Sequence, residues 1–463
     1  MEGEKNMTAD HNAFRTSMRG EVLEPSDAGY HEARKLYNAM IDKKPALIAR
    51  CVDVADVITS VNYARDNGIL LAVRCGGHNG PGLGSCNDGL VIDLSRMKGV
   101  RVNPTARTAD VAGGCVWGDV DHATHPFGLA VPAGIVSTTG VGGLTLGGGI
   151  GHLSRKYGLT VDNLLSVDMV LADGSFVTAN DKQRQDLYWA VRGGGGNFGV
   201  VTNFTFRLSP VGMVSAGPMF WAIEDAPEVM RLYEQFITTA PQELNGFFAF
   251  LVVPPVPMFP AELHMRTVCG VVWCSTADRE RTNQMLAPTA AWPKPLLSGV
   301  GPMPLPVLNS LFDGLYTPGL QWYWKADFVE HLSDDAIARH IQFGANLPSM
   351  FSTMHLYPIN GAVHRTASDA TAFSYRKAKW AEVIVGVDPD PANKDKISDW
   401  ARSYWDAVHP YNAPGAYVNF MMEEGAARVE ATYGENYARL RKVKAAYDPG
   451  NLFRVNQNIP PPA

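Results

Sequence analysis

Residues 53–80 read DVADVITSVNYARDNGILLAVRCGGHNG, and the order of patterns here decides how the chain begins to fold. Apolar positions recur at helical spacing through 53–67, Gly68 stops the helix, and ILLAVR has the unbroken apolar character of a buried strand. The strand runs straight into Arg74-Cys75-Gly76-Gly77-His78-Asn79-Gly80, where side chains nearly vanish. A backbone wraps a pyrophosphate only where side chains are absent and N–H groups point inward, so a glycine cluster at a strand end suggests a phosphate cradle. Three more clusters lie downstream: Pro132-Ala133-Gly134 through Gly140-Val141-Gly142-Gly143, then Gly147 to Gly151, then Gly193 to Gly199. The window Gly194–Gly199 fits GxGxxG, yet helix-like DLYWAVRG precedes it and strand-like VVTNFTFRL follows. That is the reverse of the order a Rossmann site needs. No Gly-Lys dipeptide exists, which excludes a Walker A loop. Four clusters together point to one large phosphate-bearing ligand.

The rest of the chain supplies room for such a ligand. Its 463 residues suggest two interlocked domains, with 46% hydrophobic and 19% charged residues as in a well-packed globular protein. A net charge of −6 without a long basic run excludes nucleic acid as a partner. No stretch of about 18 apolar residues and no export signal appear, so no membrane association and a cytoplasmic location are expected. The six cysteines form no CxxC pair and read as free thiols. His122 and His125 lack a third ligand nearby, so no metal site is expected. Short strand patterns at 90–94 and 108–112, a helix from Gly118 to about His125, and an Asp173-Gly174 hairpin make the first part α+β. Glycine density falls at Leu208-Ser209-Pro210. Beyond it, FFAFLVVP, VCGVVWC, QWYWKADF and FSTMHLYPI read as strands, and 333–345 and 395–408 as helices, giving an antiparallel sheet with helices on one face. The expected division is therefore 1–208, 209–411 and 412–463, the last segment returning to the first domain.

Several motifs occur in one order: Arg74-x-Gly76-Gly77-His78, Pro132-Ala133-Gly134, Lys156-Tyr157-Gly158-Leu159-x-x-Asp162-Asn163, Trp189-Ala190-x-Arg192-Gly193, Asn197-Phe198-Gly199-Val200-Val201-Thr202, Tyr417-x-Asn419 and Asp448-Pro449-x-Asn451-x-Phe453-Arg454-x-Asn456-Gln457. In these the chain resembles the FAD-linked oxidases of the vanillyl-alcohol oxidase superfamily. The branch is the berberine bridge enzyme-like one, with a PCMH-type FAD-binding domain, which includes hydroxynicotine oxidase and sugar oxidases. The resemblance implies a two-lobed α+β fold and FAD joined through a ring nitrogen of His78. It implies cofactor contacts from Arg74, Gly76, Gly77, His78, Asn79 and Gly80; from Pro132, Gly134, Thr138, Thr139, Gly142 and Gly143; and from Gly148, Gly149, Gly151, Tyr157 and Asn163. Val200, Val201, Tyr417, Asn419, Asn456 and Asn458 complete that set. Bicovalent members carry a cysteine shortly after Pro-Ala-Gly; Val136 stands there, so a single link and a less open site are expected.

A flavin oxidase must bring a substrate C–H against the flavin and remove a proton from the adjoining O–H or N–H. By resemblance, Tyr417 is the expected base. Because a free tyrosine has a pKa of about 10, it needs a nearby cation. In QWYWKADF, alternation puts Gln321, Tyr323 and Lys325 on one face and Trp322 and Trp324 on the other. Lys325 is the candidate cation, with Tyr323 beside it. The expected reaction oxidises an alcohol or sugar hydroxyl carbon with O2, giving H2O2. A cyclic amine substrate, or a dehydrogenase with another acceptor, is the alternative. A monomer or homodimer is expected.

Overall fold

The helix read at 53–67 forms as Val54–Asp66, and Asp53 caps it by accepting from the backbone N–H of Asp56. Leu71–Arg74 follows as a strand and pairs parallel to Leu90–Asp93, which pairs parallel to Leu47–Arg50 in turn. Glu21–Leu23 adds an antiparallel edge, closing a four-stranded sheet. The computed structural model describes residues 11–462. A second sheet has five strands in the order Val100–Asn103, Thr108–Ala112, Val200–Arg207, Leu164–Val170, Phe176–Asn180, all antiparallel. Its core includes Trp117, Phe204 and Phe206, all essentially buried. The Asp173-Gly174 hairpin joins its last two strands in space, as read.

The third sheet has eight strands between residues 213 and 388, each pairing antiparallel. Its strands are buried on both faces, because two different layers cover them. Phe248, Phe250, Trp273 and Ile384 pack beneath the helices Ala226–Thr239, Asp334–Gly344 and Lys394–Val408. Phe247, Ala249, Val383 and Val385 alternate onto the opposite face, with Trp322, Tyr357 and Tyr417. Each buried Phe, Val or Ile side chain among them stabilises the sheet by about 1.5–3 kcal/mol. The four strands read beyond residue 210 all belong to this sheet. The strand Met213–Ala222 went unread because Gly217-Pro218 interrupts its pattern; Gly217, at φ +145°, lets Gly299 approach there.

The last segment is stitched to a glycine loop. Lys444 Nζ, fully buried, donates to Asp448 at 2.6 Å and to the Asn197 carbonyl at 2.7 Å. The Asn197 amide oxygen accepts from the backbone N–H of Ile459 at 3.0 Å. No helix among the described residues is long and apolar enough to cross a membrane.

Candidate active site

The glycine loops and the non-helical face of the eight-stranded sheet enclose a cavity of about 320 Å³. Its floor is largely backbone, from 74–79, 134–144 and 195–199; its roof is Trp322, Trp324, Thr353, His355, Tyr357, Val383 and Val385. The floor closes because two loops touch main chain to main chain. A Cβ on Gly76 would lie 2.5 Å from the Gly140 nitrogen, so any side chain would part them. Arg74 is the one lysine, arginine or carboxylate among the described residues lining the cavity, and it is paired with buried Asp93 at 2.8 Å. Asn38 clamps floor to roof, donating to the carbonyls of Gly80 (2.7 Å) and Trp322 (3.0 Å).

His78 stands at this junction. The Thr138 hydroxyl lies 3.0 Å from its Nε2, and the Tyr37 ring stacks on the imidazole at 3.8 Å between centroids. Burial holds the imidazole well below its ordinary pKa, at about 4, so it is neutral near pH 7. Tyr417 lies across the floor. Its hydroxyl oxygen accepts from the Gly149 backbone N–H at 2.9 Å and from the Asn419 amide at 2.7 Å. Burial raises the phenol to about 12 despite these two donors, so it keeps its proton near neutrality.

The match to known proteins follows this geometry. Residues 45–180 match the FAD binding domain family model, and 416–460 match the model described as berberine and berberine like. The (R)-6-hydroxynicotine oxidase of Paenarthrobacter nicotinovorans is 40% identical, over 96% of this chain and 97% of that protein. The chain belongs to the berberine bridge enzyme-like FAD-linked oxidoreductases. An FAD-linked oxidoreductase of Dictyostelium discoideum is 31% identical, over 97% of this chain and 96% of that protein. The structure of Physcomitrella patens BBE-like 1 superposes with a TM-score of 0.87 at 25% identity, covering 98% of this chain and 99% of that one.

A chain of this family binds FAD, and the residues lining the cavity fit such a cofactor. The floor offers main chain where side chains would collide, and the Tyr433 hydroxyl lines the cavity, buried and without a partner among the described residues. Of the expected contacts, Arg74, Gly76, Gly77, His78, Asn79, Gly134, Thr139, Gly142, Gly143, Val201, Tyr417, Asn419 and Asn456 line the cavity. Several of the others stand behind it and brace it. Thr138 holds His78, Gly149 holds Tyr417, and Gly80 and Pro132 offer carbonyls to Asn38 and Thr160. Asn163 donates to the Tyr157 carbonyl at 2.9 Å, while the Gly148 carbonyl accepts from the Val161 N–H at 3.0 Å and the Gly151 carbonyl from the Asn245 amide at 3.1 Å. Val200 is core, and Asn458 has a buried amide oxygen without a partner among the described residues but lies outside the lining.

Lys325 and Tyr323 require a correction. Alternation in Gln321–Val329 is as read, but it is the tryptophan face that meets the cavity. Lys325 Nζ points to the helical side, 2.6 Å from Glu424 and 4.0 Å from the Trp405 ring centroid. The Tyr323 hydroxyl accepts from Arg402 at 3.1 Å, on the same side. Neither faces Tyr417. In their place the roof presents His355 and Tyr357, which sequence reasoning missed. FSTMHLYPI was read as a strand, and alternation alone puts Thr353, His355 and Tyr357 on one face; which layer that face meets was not written locally. His355 Nδ1 is 2.6 Å from the Tyr357 hydroxyl. Burial holds His355 at about 3, so it too is neutral. The six cysteines are free, and all but Cys75 are buried.

Proposed function

We propose that this chain is an oxidase whose FAD is joined to His78, and that it oxidises a small organic substrate while O2 is reduced to H2O2. The observation that carries the reading is His78. Its imidazole is neutral, its Nε2 is engaged by Thr138 and its face is held by Tyr37, so Nδ1 is left as the nucleophilic nitrogen. The bound FAD supplies a hydride acceptor. The chain's own residues position the substrate: the aromatic roof excludes water and stacks on it, and protonated Tyr417 offers an O–H donor at the floor.

Between the two substrate classes, the cavity favours a neutral amine over a sugar. A sugar demands many side-chain hydrogen bonds, whereas this roof is mainly Trp322, Trp324, Tyr357, Val383 and Val385. Removing a hydroxyl proton calls for a strong base, and Tyr417, pushed up to about 12 by burial, has no lysine beside it among the described residues. A neutral amine needs no such base, and the 40% identical relative is named for oxidation of hydroxynicotine.

Acid denaturation of wild type and His78→Ala tests the cofactor reading. Yellow flavin should precipitate with wild type and wash away from the variant. Peroxide release is then measured with N-methylated cyclic amines, benzylic alcohols and sugars. Flavin lost from fully loaded wild type refutes the link; peroxide from sugars alone refutes the amine preference.

A further inference from the structure

The roof pair that the sequence did not reveal has a property of its own. Among the described residues, His355 Nε2 has no protein partner, while Nδ1 is held by the Tyr357 hydroxyl at 2.6 Å. Both side chains are about 7% exposed and line the cavity. Phe247 packs against both, at 5.0 Å from the His355 ring and 5.1 Å from the Tyr357 ring. The titratable groups around the pair carry no charge: Tyr316, from the loop before Gln321–Val329, acts on Tyr357; Tyr417 comes from the C-terminal segment; and His152, held at about 3 by burial, packs on the same Phe247 ring at 6.0 Å. The neighbouring strand contributes Val383 and Val385, and Leu244–Val252 contributes Phe247. Thus no carboxylate or ammonium among the described residues faces His355.

We propose that His355 and Tyr357 form an uncharged recognition pair, which makes one hydrogen bond to a planar aromatic substrate and admits it only in its neutral form. The inference rests on the reading of this cavity as the substrate site of an oxidase. The pair has two neutral arrangements. With the Tyr357 O–H donating to Nδ1, Nε2 carries hydrogen and donates to the substrate; with Nδ1–H donating to the Tyr357 oxygen, Nε2 accepts. It therefore serves a hydroxyl, an oxo group or a ring nitrogen. It provides nothing to neutralise a carboxylate or an ammonium, and burying an unpaired charge in apolar surroundings is strongly disfavoured. Burial holds His355 at about 3 and Tyr357 above the ordinary phenol range, so neither gains charge between pH 5 and 9 to change this. The tryptophans add apolar wall: Trp322 and Trp324 meet edge to face at 6.1 Å and line the same cavity as the pair.

The holoenzyme is titrated at pH 7 with phenol, toluene, benzoate and benzylammonium, following the flavin absorbance. Phenol is expected to bind about tenfold more tightly than toluene, one net hydrogen bond, and both ions more weakly than either. In His355→Phe, phenol and toluene become equivalent. In His355→Glu, benzylammonium gains affinity. His355→Leu, which likewise removes the hydrogen-bonding ring, serves where the phenylalanine variant does not hold flavin. Benzoate or benzylammonium binding wild type as tightly as phenol overturns the proposal, as does an unchanged phenol preference in the folded His355 variants or no response to phenol at all. The acid-denaturation assay reads the cofactor separately, so the pair can fail while the oxidase reading stands.

Discussion

Replacing Lys325 by methionine tests on which side of the large sheet the chemistry sits. Lys325 and Glu424 are 2.6 Å apart with side chains 11% and 9% exposed, and the ammonium also lies over the Trp405 ring. Methionine keeps most of the apolar stem and removes the charge. The Glu424 carboxylate is then left with Arg428, whose Nε is 3.8 Å away. Stripping one partner from a buried pair costs about 3–5 kcal/mol, and the remaining arginine puts this case at the lower end, about 3 kcal/mol. With an unfolding entropy of about 2.1 cal/mol/K per residue, a 463-residue chain loses about 1 kcal/mol per degree. The expected Tm is therefore about 3 °C lower in a calorimetric scan, and Lys325→Met/Glu424→Leu should recover most of it, because apolar replacement of a whole buried pair is often neutral. The anaerobic rate of flavin bleaching by substrate should stay at the wild-type value. An unchanged Tm with bleaching slowed by about a hundredfold, the loss typical of a missing acid–base group, would refute the assignment of Lys325 to the helical side.

Thr138→Val removes the hydroxyl 3.0 Å from His78 Nε2, and the acid-stable flavin fraction, read by absorbance after precipitation, should fall; an undiminished fraction would free Thr138 of any part in the link. Stability should decrease as pH falls below about 6.5, because burial holds His78 at about 4 and His152, His340 and His355 at about 3. There the unfolded chain binds protons that the folded one refuses, at about 1.4 kcal/mol per histidine per pH unit. Tm scans at pH 7 and pH 5 check this, and equal values would contradict it. Burial pushes the thiols of Cys51 and Cys274 up to about 12 and those of Cys75 and Cys86 up to about 11. Iodoacetamide at pH 8 should therefore label the native protein slowly and all six cysteines in urea; rapid native labelling, read by mass, would count against these burials.

How much could be read in advance divides along one physical line. A glycine loop is a local constraint: Gly76 tolerates no Cβ because Gly140 lies 2.5 Å from where it would sit, and the requirement is visible as glycine in both stretches. The floor of the cavity was legible for that reason, as was the fold class, whose helices and hairpins end at glycine, proline and capping residues. The roof is made of strands, and a strand's pattern carries parity without sign. The period of two in QWYWKADF separates Lys325 from Trp324 with certainty. Which of them meets the cavity depends on partners about a hundred residues away: Trp405 on the helix Lys394–Val408 and Glu424 after it, both of which claim the lysine side. The same holds for His355, whose face is decided by register against Trp380–Asp388, where it pairs with Val383. A lysine beside a candidate tyrosine invites a chemical role, whereas the physical preference runs the other way. In a cavity lined by no carboxylate among the described residues, tryptophan is a better wall than an ammonium, and the ammonium finds its counter-ion on the far side. On a strand buried on both faces, the charged residue therefore belongs to whichever layer brings the opposite charge.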